Sequence, residues 1–306
     1  MSNIRATIRL WIQAVRAPFF TASVVPVLLA LALALWRKDV ICWPAFPLML
    51  LSVVFLHAGT NTMNDYCDFK KGVDKKATFG SSRVLVDELM RPGQLLTGSL
   101  ILFCAGVFFG LILVALRGRP ILVMGLIGLA AGFLYSAAPL RLKYIGLGDI
   151  TVFIFMGPFL VISAYYALTG IYAPPVLYAS FPVGLLVTAI LHANNIRDLS
   201  HDRAAGIKTL ALILGLKRAK LEYYCLLGGA YVSVFFMVLS KDLPIFALAV
   251  FVSVPLAAKN ILSVARLKED GFGSVSSLDI SSAKLHMVFG VLLILSLLLA
   301  AVFSPA

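Results

Sequence analysis

The sequence predicts an all-α integral membrane protein of nine transmembrane helices with a cytoplasmic N-terminus, and three observations carry that prediction. Of its 306 residues, 61% are hydrophobic and 13% charged, against roughly 25% charged in soluble domains. A core of this length could not hide so much apolar surface from water, so lipid is the solvent. The apolar residues fall into runs of membrane-spanning length. The basic residues, which give a formal net charge of +12, sit in short connections between those runs. That distribution is a topology signal and excludes a nucleic-acid footprint.

The elements follow in order. IRATIRLWIQAVR sets Ile4, Ile8, Trp11 and Val15 at helical spacing among Arg5, Arg9 and Arg16. Over 1–17 this predicts an amphipathic helix in the membrane interface, retained rather than cleaved. Apolar windows of roughly 17–23 residues are placed at about 19–36, 41–63, 94–116, 119–138, 149–170, 174–194, 219–240, 243–265 and 284–304. About 21 basic residues fall on the side of the N-terminus and of the 64–93, 139–148, 195–218 and 266–284 connections, and about 5 on the other. The positive-inside rule puts the first side in the cytoplasm and the C-terminus outside. The whole of 1–306 reads as one membrane domain, with 64–93 and 195–218 as its cytoplasmic motif loops. Cys42, Cys67, Cys104 and Cys225 show no paired spacing, which predicts neither a disulfide framework nor a zinc site.

Two polar stretches on the cytoplasmic side carry the chemistry. Each follows directly on an apolar run: NTMNDYCDFKKGVD from Asn61 and NNIRDLSHDRAAGIKT from Asn194. Asn61, Asp65 and Gly72 align with Asn194, Asp198 and Gly206 at a constant offset until one residue is inserted. That pattern suggests two related halves facing the same way. If helical, Asn61, Asp65 and Asp68 share one face, and so do Asn194, Asp198 and Asp202. One such cluster is ordinarily neutralised by its neighbours, here Lys70, Lys71, Arg197 and Arg203. Two, each with an Asn one turn before the Asp, fit a different task. Carboxylate and amide oxygens suit Mg²⁺, which leaves much of its shell to water and substrate phosphates. The six residues would hold metal ions and a polyphosphate, with Lys75, Lys76, Arg83, Arg91 and Lys208 meeting the phosphate charge. His57 and His192, just upstream, are expected as hydrogen-bonded packing residues.

These motifs resemble the UbiA superfamily of intramembrane aromatic prenyltransferases. NDYCD (Asn64 to Asp68) looks like its first motif and DLSHD (Asp198 to Asp202) its second, and the likeness runs from AVRAPFFTASVVPVLLA to TLALILG. The last three spans show only hydrophobicity. The resemblance implies a nine-helix UbiA-like bundle that binds an isoprenyl diphosphate through Mg²⁺ and transfers its prenyl group to an aromatic acceptor. NDYCDFKKGVD, LRLKYIGLGDITVFIFMGPFLV and NNIRDLSHDRAAGIKTLA are most similar to the 1,4-dihydroxy-2-naphthoate branch of menaquinone synthesis, in which the acceptor carboxylate is lost as CO₂. There Gly72 and then Asp74 stand where the 4-hydroxybenzoate branch has an acid four residues after Asp68. Two features depart from the family pattern: Tyr135 is not followed by lysine at the YxxxK spacing, and no GP pair precedes the arginine of SSRVLVDELMRPGQL.

By this resemblance Asp65, Asp68, Asp198 and Asp202 are the catalytic carboxylates. Asn64 and Arg83 join the diphosphate site. Arg141 or Lys143 would pair with the acceptor carboxylate, while Phe133, Tyr135 and Tyr144 offer aromatic faces to the allylic cation. The partners are the isoprenyl diphosphate, the aromatic acceptor and the bilayer, with the site facing the cytoplasm. A secondary transporter would keep its acids near the bilayer midplane on broken helices, and the DGxxAR core of CDP-alcohol phosphotransferases is absent.

Overall fold

A computed structural model describes residues 2–74, 80–268 and 271–303. Lys75 and Lys76 lie outside the described residues. The described residues form helices without strands: α1 (Ser2–Ala14), α2 (Thr21–Trp36), α3 (Ala45–Lys70), α4 (Pro92–Arg117), α5 (Arg119–Ser136), α6 (Gly148–Met156), α7 (Pro158–Thr169), α8 (Pro174–Arg197), α9 (Leu199–Ala204), α10 (Leu210–Leu239), α11 (Val254–Arg266) and α12 (Leu278–Phe303). Among them are nine segments long and apolar enough to cross a membrane. The nine fall where the hydropathy windows placed them, with ends shifted by a few residues in most.

The larger shifts have local causes. Nothing in NDYCDFKK breaks a helix, so α3 runs past residue 63 to Lys70 and carries the whole first motif. It stops where Gly72 takes a left-handed conformation (φ +70°), with Val73 N–H donating to Asp68 O at 2.9 Å. The second motif ends the same way. Gly206 is left-handed (φ +69°), and Ile207 N–H donates to Asp202 O at 3.0 Å. Both are glycine C-caps of the Schellman type, at positions that the alignment of the two stretches had paired. The fifth span is two helices, α6 and α7, broken at Gly157. The ninth begins at Phe272, in a 3-10 turn ahead of α12.

Close approach of small residues holds the bundle together, as expected where lipid removes the hydrophobic drive between helices. Helix α3 packs chiefly on α4, and α8 on α10 and α12, while α2 lies between α7 and α12. On the α3/α4 seam Ser99 Oγ donates to Gly59 O and Ser52 Oγ to Gly106 O, both at 2.8 Å. Helices α2, α8 and α12 are the most buried, whereas α4 and α5 are the least. The break in the fifth span sits against Gly184 of α8, where a Cβ on Gly157 would stand 2.6 Å from Gly184 Cα. That neighbour is backbone and cannot swing away. Gly157→Val should therefore destabilise the bundle by about 1–3 kcal/mol, read as a lowered thermal midpoint in detergent. Gly228→Ala, with nothing within 4 Å of the added carbon, should leave the midpoint unchanged.

Candidate active site

Both acidic motifs open onto one cavity of about 410 Å³. Its polar end is lined by Arg16, Asn61, Asn64, Asp68, Asp74, Gly80, Lys143, Asn194, Asp198 and Asp202. Its other end is apolar, walled by Leu113 and Val114 of α4, Ile121, Met124 and Leu129 of α5, and Phe155, Phe159 and Leu160 of the broken span.

The first motif is held from two sides. Lys143 and Tyr144 lie on a short 3-10 turn after α5, begun by left-handed Arg141, and both reach Asp68. Lys143 Nζ donates to Asp68 Oδ2 at 2.6 Å and to Asn64 Oδ1 at 3.0 Å. The Tyr144 hydroxyl donates to Asp68 Oδ1, and Ser136 Oγ to Asn64 Oδ1 at 2.7 Å. Burial alone would lower the Lys143 ammonium, but the Asp68 charge outweighs it and holds the lysine protonated. Burial likewise keeps the Tyr144 hydroxyl protonated, so it remains a donor to Asp68. On the other side the Arg16 guanidinium pairs with Asp65 Oδ1, and Ser82 N–H donates to Asp65 Oδ2 at 3.0 Å. Asn61 Nδ2 donates to Val15 O at 3.0 Å.

The second motif turns at Asp198, yet Asp198 N–H still donates to Asn194 O and Asp202 N–H to Asp198 O. The three side chains therefore stay on one face. Arg197 grips its neighbour with two bonds, Nε to Asp198 Oδ1 at 3.0 Å and Nη2 to Asp198 Oδ2 at 2.7 Å. Its Nη1 donates to Asp279 Oδ2 of α12 at 2.7 Å. The 80–82 segment bridges the motifs: Ser82 bonds Asp65, while a Cβ at Gly80 would lie 2.5 Å from Asp198 Oδ2.

The donor set fits a hard divalent cation. It is all carboxylate and amide oxygen, and Asn194 Oδ1 is buried in the structure with no hydrogen-bond partner. Negative charge also exceeds what the cations balance. Burial and the nearby Asp68 and Asp65 charges push the Asp74 carboxyl up to about 7. Burial pushes Asp202 up to about 7, against the opposing pull of Lys143 and with the support of Asp198 and Asp68. A divalent cation would relieve that repulsion, worth about 4 kcal/mol per pair of charges 4 Å apart at an effective dielectric near 20.

The remaining predicted residues divide. Tyr135 lines the cavity. Asp65 is buried beside it, engaged by Arg16 and Ser82 rather than in its wall. Arg141 is exposed, so the structure brings Lys143 and not Arg141 to the cavity. Arg83 pairs with Asp87 four residues on, Arg91 caps α4, and Lys208 is exposed; none of the three is in the cavity wall. Phe133 is 41% exposed on α5, whereas Phe155 and Phe159 take the aromatic positions in the wall. His57 lines the cavity within 2.5 Å of Ser23 Oγ.

Sequence reasoning missed Arg16 and Asp279 as site residues, because each meets its motif partner only through the fold. It also missed the surroundings of His192. Asp149, His192 and Glu222 come within the range of a shared cation, but both ring nitrogens face oxygen acceptors, Asp149 Oδ1 and Ala219 O, each at 2.9 Å.

Comparison with known proteins settles the family, since the UbiA prenyltransferase family model matches residues 23–271. The chain belongs to the UbiA prenyltransferase family. Among UbiA relatives, the 1,4-dihydroxy-2-naphthoate octaprenyltransferase of Bacillus subtilis is 31% identical over 95% of this chain and 92% of its own length. The UbiA prenyltransferase domain-containing protein 1 of Mus musculus is 32% identical over 95% of this chain and 84% of its own. The fold matches an apo UbiA homologue from Aeropyrum pernix K1 (TM-score 0.67, 20% identity, 92% of this chain and 98% of that one). It also matches a UbiA homologue from Archaeoglobus fulgidus, whose structure contains GPP and Mg²⁺ (TM-score 0.62, 16% identity, 91% and 99%).

Within this UbiA chain, truncating Arg197 would leave buried Asp279 and half-buried Asp198 without their shared cation. Breaking such a group costs about 3–5 kcal/mol. Arg197→Ala should show it as a fall in thermal midpoint and in the yield of folded protein from membranes.

Proposed function

We propose that this prenyltransferase moves a polyprenyl group from an isoprenyl diphosphate to 1,4-dihydroxy-2-naphthoate, on the cytoplasmic face of the cell membrane, as a step of menaquinone synthesis. The observation that carries the reading is the single cavity with both acidic motifs at one end and an apolar interior. A diphosphate suits the first and a hydrocarbon tail the second. The choice of acceptor rests on the motif spelling and on the named activity of the Bacillus subtilis relative.

In this reading Asp65, Asp68, Asp198 and Asp202, with Asn61 and Asn194, hold Mg²⁺, and Asn64 orients Lys143. When bound, Mg²⁺ supplies Lewis-acid stabilisation of the negative charge on the departing diphosphate. The allylic C–O bond breaks, an acceptor ring carbon bonds to the prenyl carbon, and the carboxylate on that ring carbon leaves as CO₂. Tyr135 offers an aromatic ring near the allylic cation, while Phe155 and Phe159, further along the wall, line the path of the tail and keep water out. Lys143, already protonated and facing the cavity, pairs with the acceptor carboxylate. The basic connections support a cytoplasmic position for this end of the bundle, with the 1–17 segment along the interface.

The deciding experiment is a radiolabel assay on membranes expressing the chain, with Mg²⁺, labelled farnesyl or geranylgeranyl diphosphate and a panel of acceptors. A labelled lipid with dihydroxynaphthoate alone is expected; a product with 4-hydroxybenzoate instead would overturn the acceptor. Asp65→Asn or Asp198→Asn should lower turnover about a hundredfold or more in protein that still folds, and unchanged turnover would remove the metal-holding role. EDTA should silence the enzyme and excess Mg²⁺ restore it. Lys143→Met should raise the KM for the acceptor more than that for the diphosphate, while the reverse split would move Lys143 to the phosphate side.

A further inference from the structure

We propose that Asp279 is a positioning residue for the second motif: its charge keeps Asp198 able to hold a divalent cation. The inference rests on the metal-holding reading of Asp198 and extends the site to the last span, where the sequence shows only hydrophobicity.

Asp198 poses an electrostatic problem. Its two oxygens are gripped by Arg197 at 3.0 and 2.7 Å, and Arg197 is 1% exposed. A bidentate pair of this kind is locally neutral, so by itself it offers an approaching cation little net attraction. Asp279 changes the sum. Its Oδ2 accepts from the one arm of the guanidinium that Asp198 leaves over, Nη1, at 2.7 Å. One cation then sits between two carboxylates, and the group carries a net negative charge. The same contact turns the guanidinium into a fixed bridge, so that Asp198 keeps its place opposite Gly80 at the cavity.

Asp279 is itself held. It is 7% exposed, and its Oδ1 accepts the Ile280 N–H at 2.8 Å in the first turn of α12, where the helix dipole favours a negative charge. It is absent from the cavity wall. It therefore acts through Arg197 and does not touch substrate. The first motif shows the contrast. There Asp65 and Asp68 have one cation each, Arg16 and Lys143, and Asp74 lies in the cavity wall itself as the extra acid. In the second motif Asp202 lies in the cavity wall in the same way, and Asp279 adds a further charge from behind, out of the last helix.

A bland alternative is that Asp279 merely ties α12 to α8, and an isosteric change separates the two. Asp279→Asn keeps an oxygen for Arg197 Nη1, removes the charge, and gives up only the local acceptor of the Ile280 N–H. The test is Mn²⁺ binding to the purified full-length chain in detergent without substrates, followed by electron paramagnetic resonance, alongside the thermal midpoint. We expect Asp279→Asn to weaken Mn²⁺ binding to the second motif at least tenfold with little change in midpoint, and Asp279→Glu to recover most of it. Wild-type binding by Asp279→Asn, while Asp198→Asn loses binding, would overturn the inference and leave the metal reading standing. Unchanged binding in both variants would overturn the metal reading of Asp198 and this inference with it. If Asp279→Asn does not fold, Asp279→Glu carries the test: binding within threefold of wild type supports the charge, and a tenfold loss overturns it.

Discussion

Buried carboxylates must be matched by positive charge, and that constraint organises the polar end of this molecule. A buried, unpaired carboxylate is far too costly to keep ionised. Three of the motif acids are tied to a cation in this way: Asp65 to Arg16 before the first span, Asp68 to Lys143 after the fourth, and half-buried Asp198 to Arg197, which reaches on to the last helix. These ties draw together segments that apolar packing alone would leave free to slide. They are weak evidence for stability, because apolar side chains of similar size would serve that end as well or better. On the proposed function their use lies in what the carboxylates would do once a competing cation and an anionic substrate arrive.

The two halves solve one structural problem in one way and the electrostatic problem in two. Both motif helices end in a left-handed glycine with the same backbone bond back to the last aspartate, Val73 to Asp68 and Ile207 to Asp202. The shared cap sets Asp68 and Asp202 in equivalent places at the end of a turn. The counter-charges differ. Asp68 takes Lys143 from an adjoining connection, whereas Asp198 takes the residue directly before it, since α8 bends there and brings Arg197 round onto Asp198. Two motifs that keep the backbone device and exchange the side-chain partners would, on the proposed function, provide two similar ligand sets around an asymmetric substrate.

How much of this could be read from the chain depends on the range of each interaction. Spans are legible because bilayer thickness sets their length, and the motif faces because helical periodicity is local. Even the fourth-helix connection is legible in part: Arg141 and Lys143 are near enough in sequence to be confused, and the left-handed turn at Arg141 decides between them. The contacts that complete the site are long-range. Arg16 meets Asp65 across 49 residues and Arg197 meets Asp279 across 82. In sequence Arg16 belongs to an amphipathic pattern, and Asp279 is a lone acid ahead of an apolar run. The expectation that Arg83 and Lys208 would serve the phosphate site fails to find support in the cavity wall for a related reason. Position in a polar loop does not give direction, and Arg83 is satisfied locally by Asp87.

The buried group around His192 bears on how the second motif stays put. Asn194 faces the cavity with an unpaired oxygen, while the next residue, Asn195, donates to Asp149 Oδ2 at 3.1 Å and His192 engages the other oxygen of the same carboxylate. Asp149 stands in the first turn of α6, the half-helix that stops at Gly157. A continuous fifth span would have to satisfy its packing on α8 along its full length at once. The break lets α6 set its angle by the contact of Asp149 with His192 and Asn195, while α7 packs separately below. The last turns of α8 are then held on one side by Asp149 and on another by Asp279 through Arg197. An oxygen ligand such as that of Asn194 is useful only if it is already in place before a cation arrives, since reorganisation at that moment would be taken out of the binding energy.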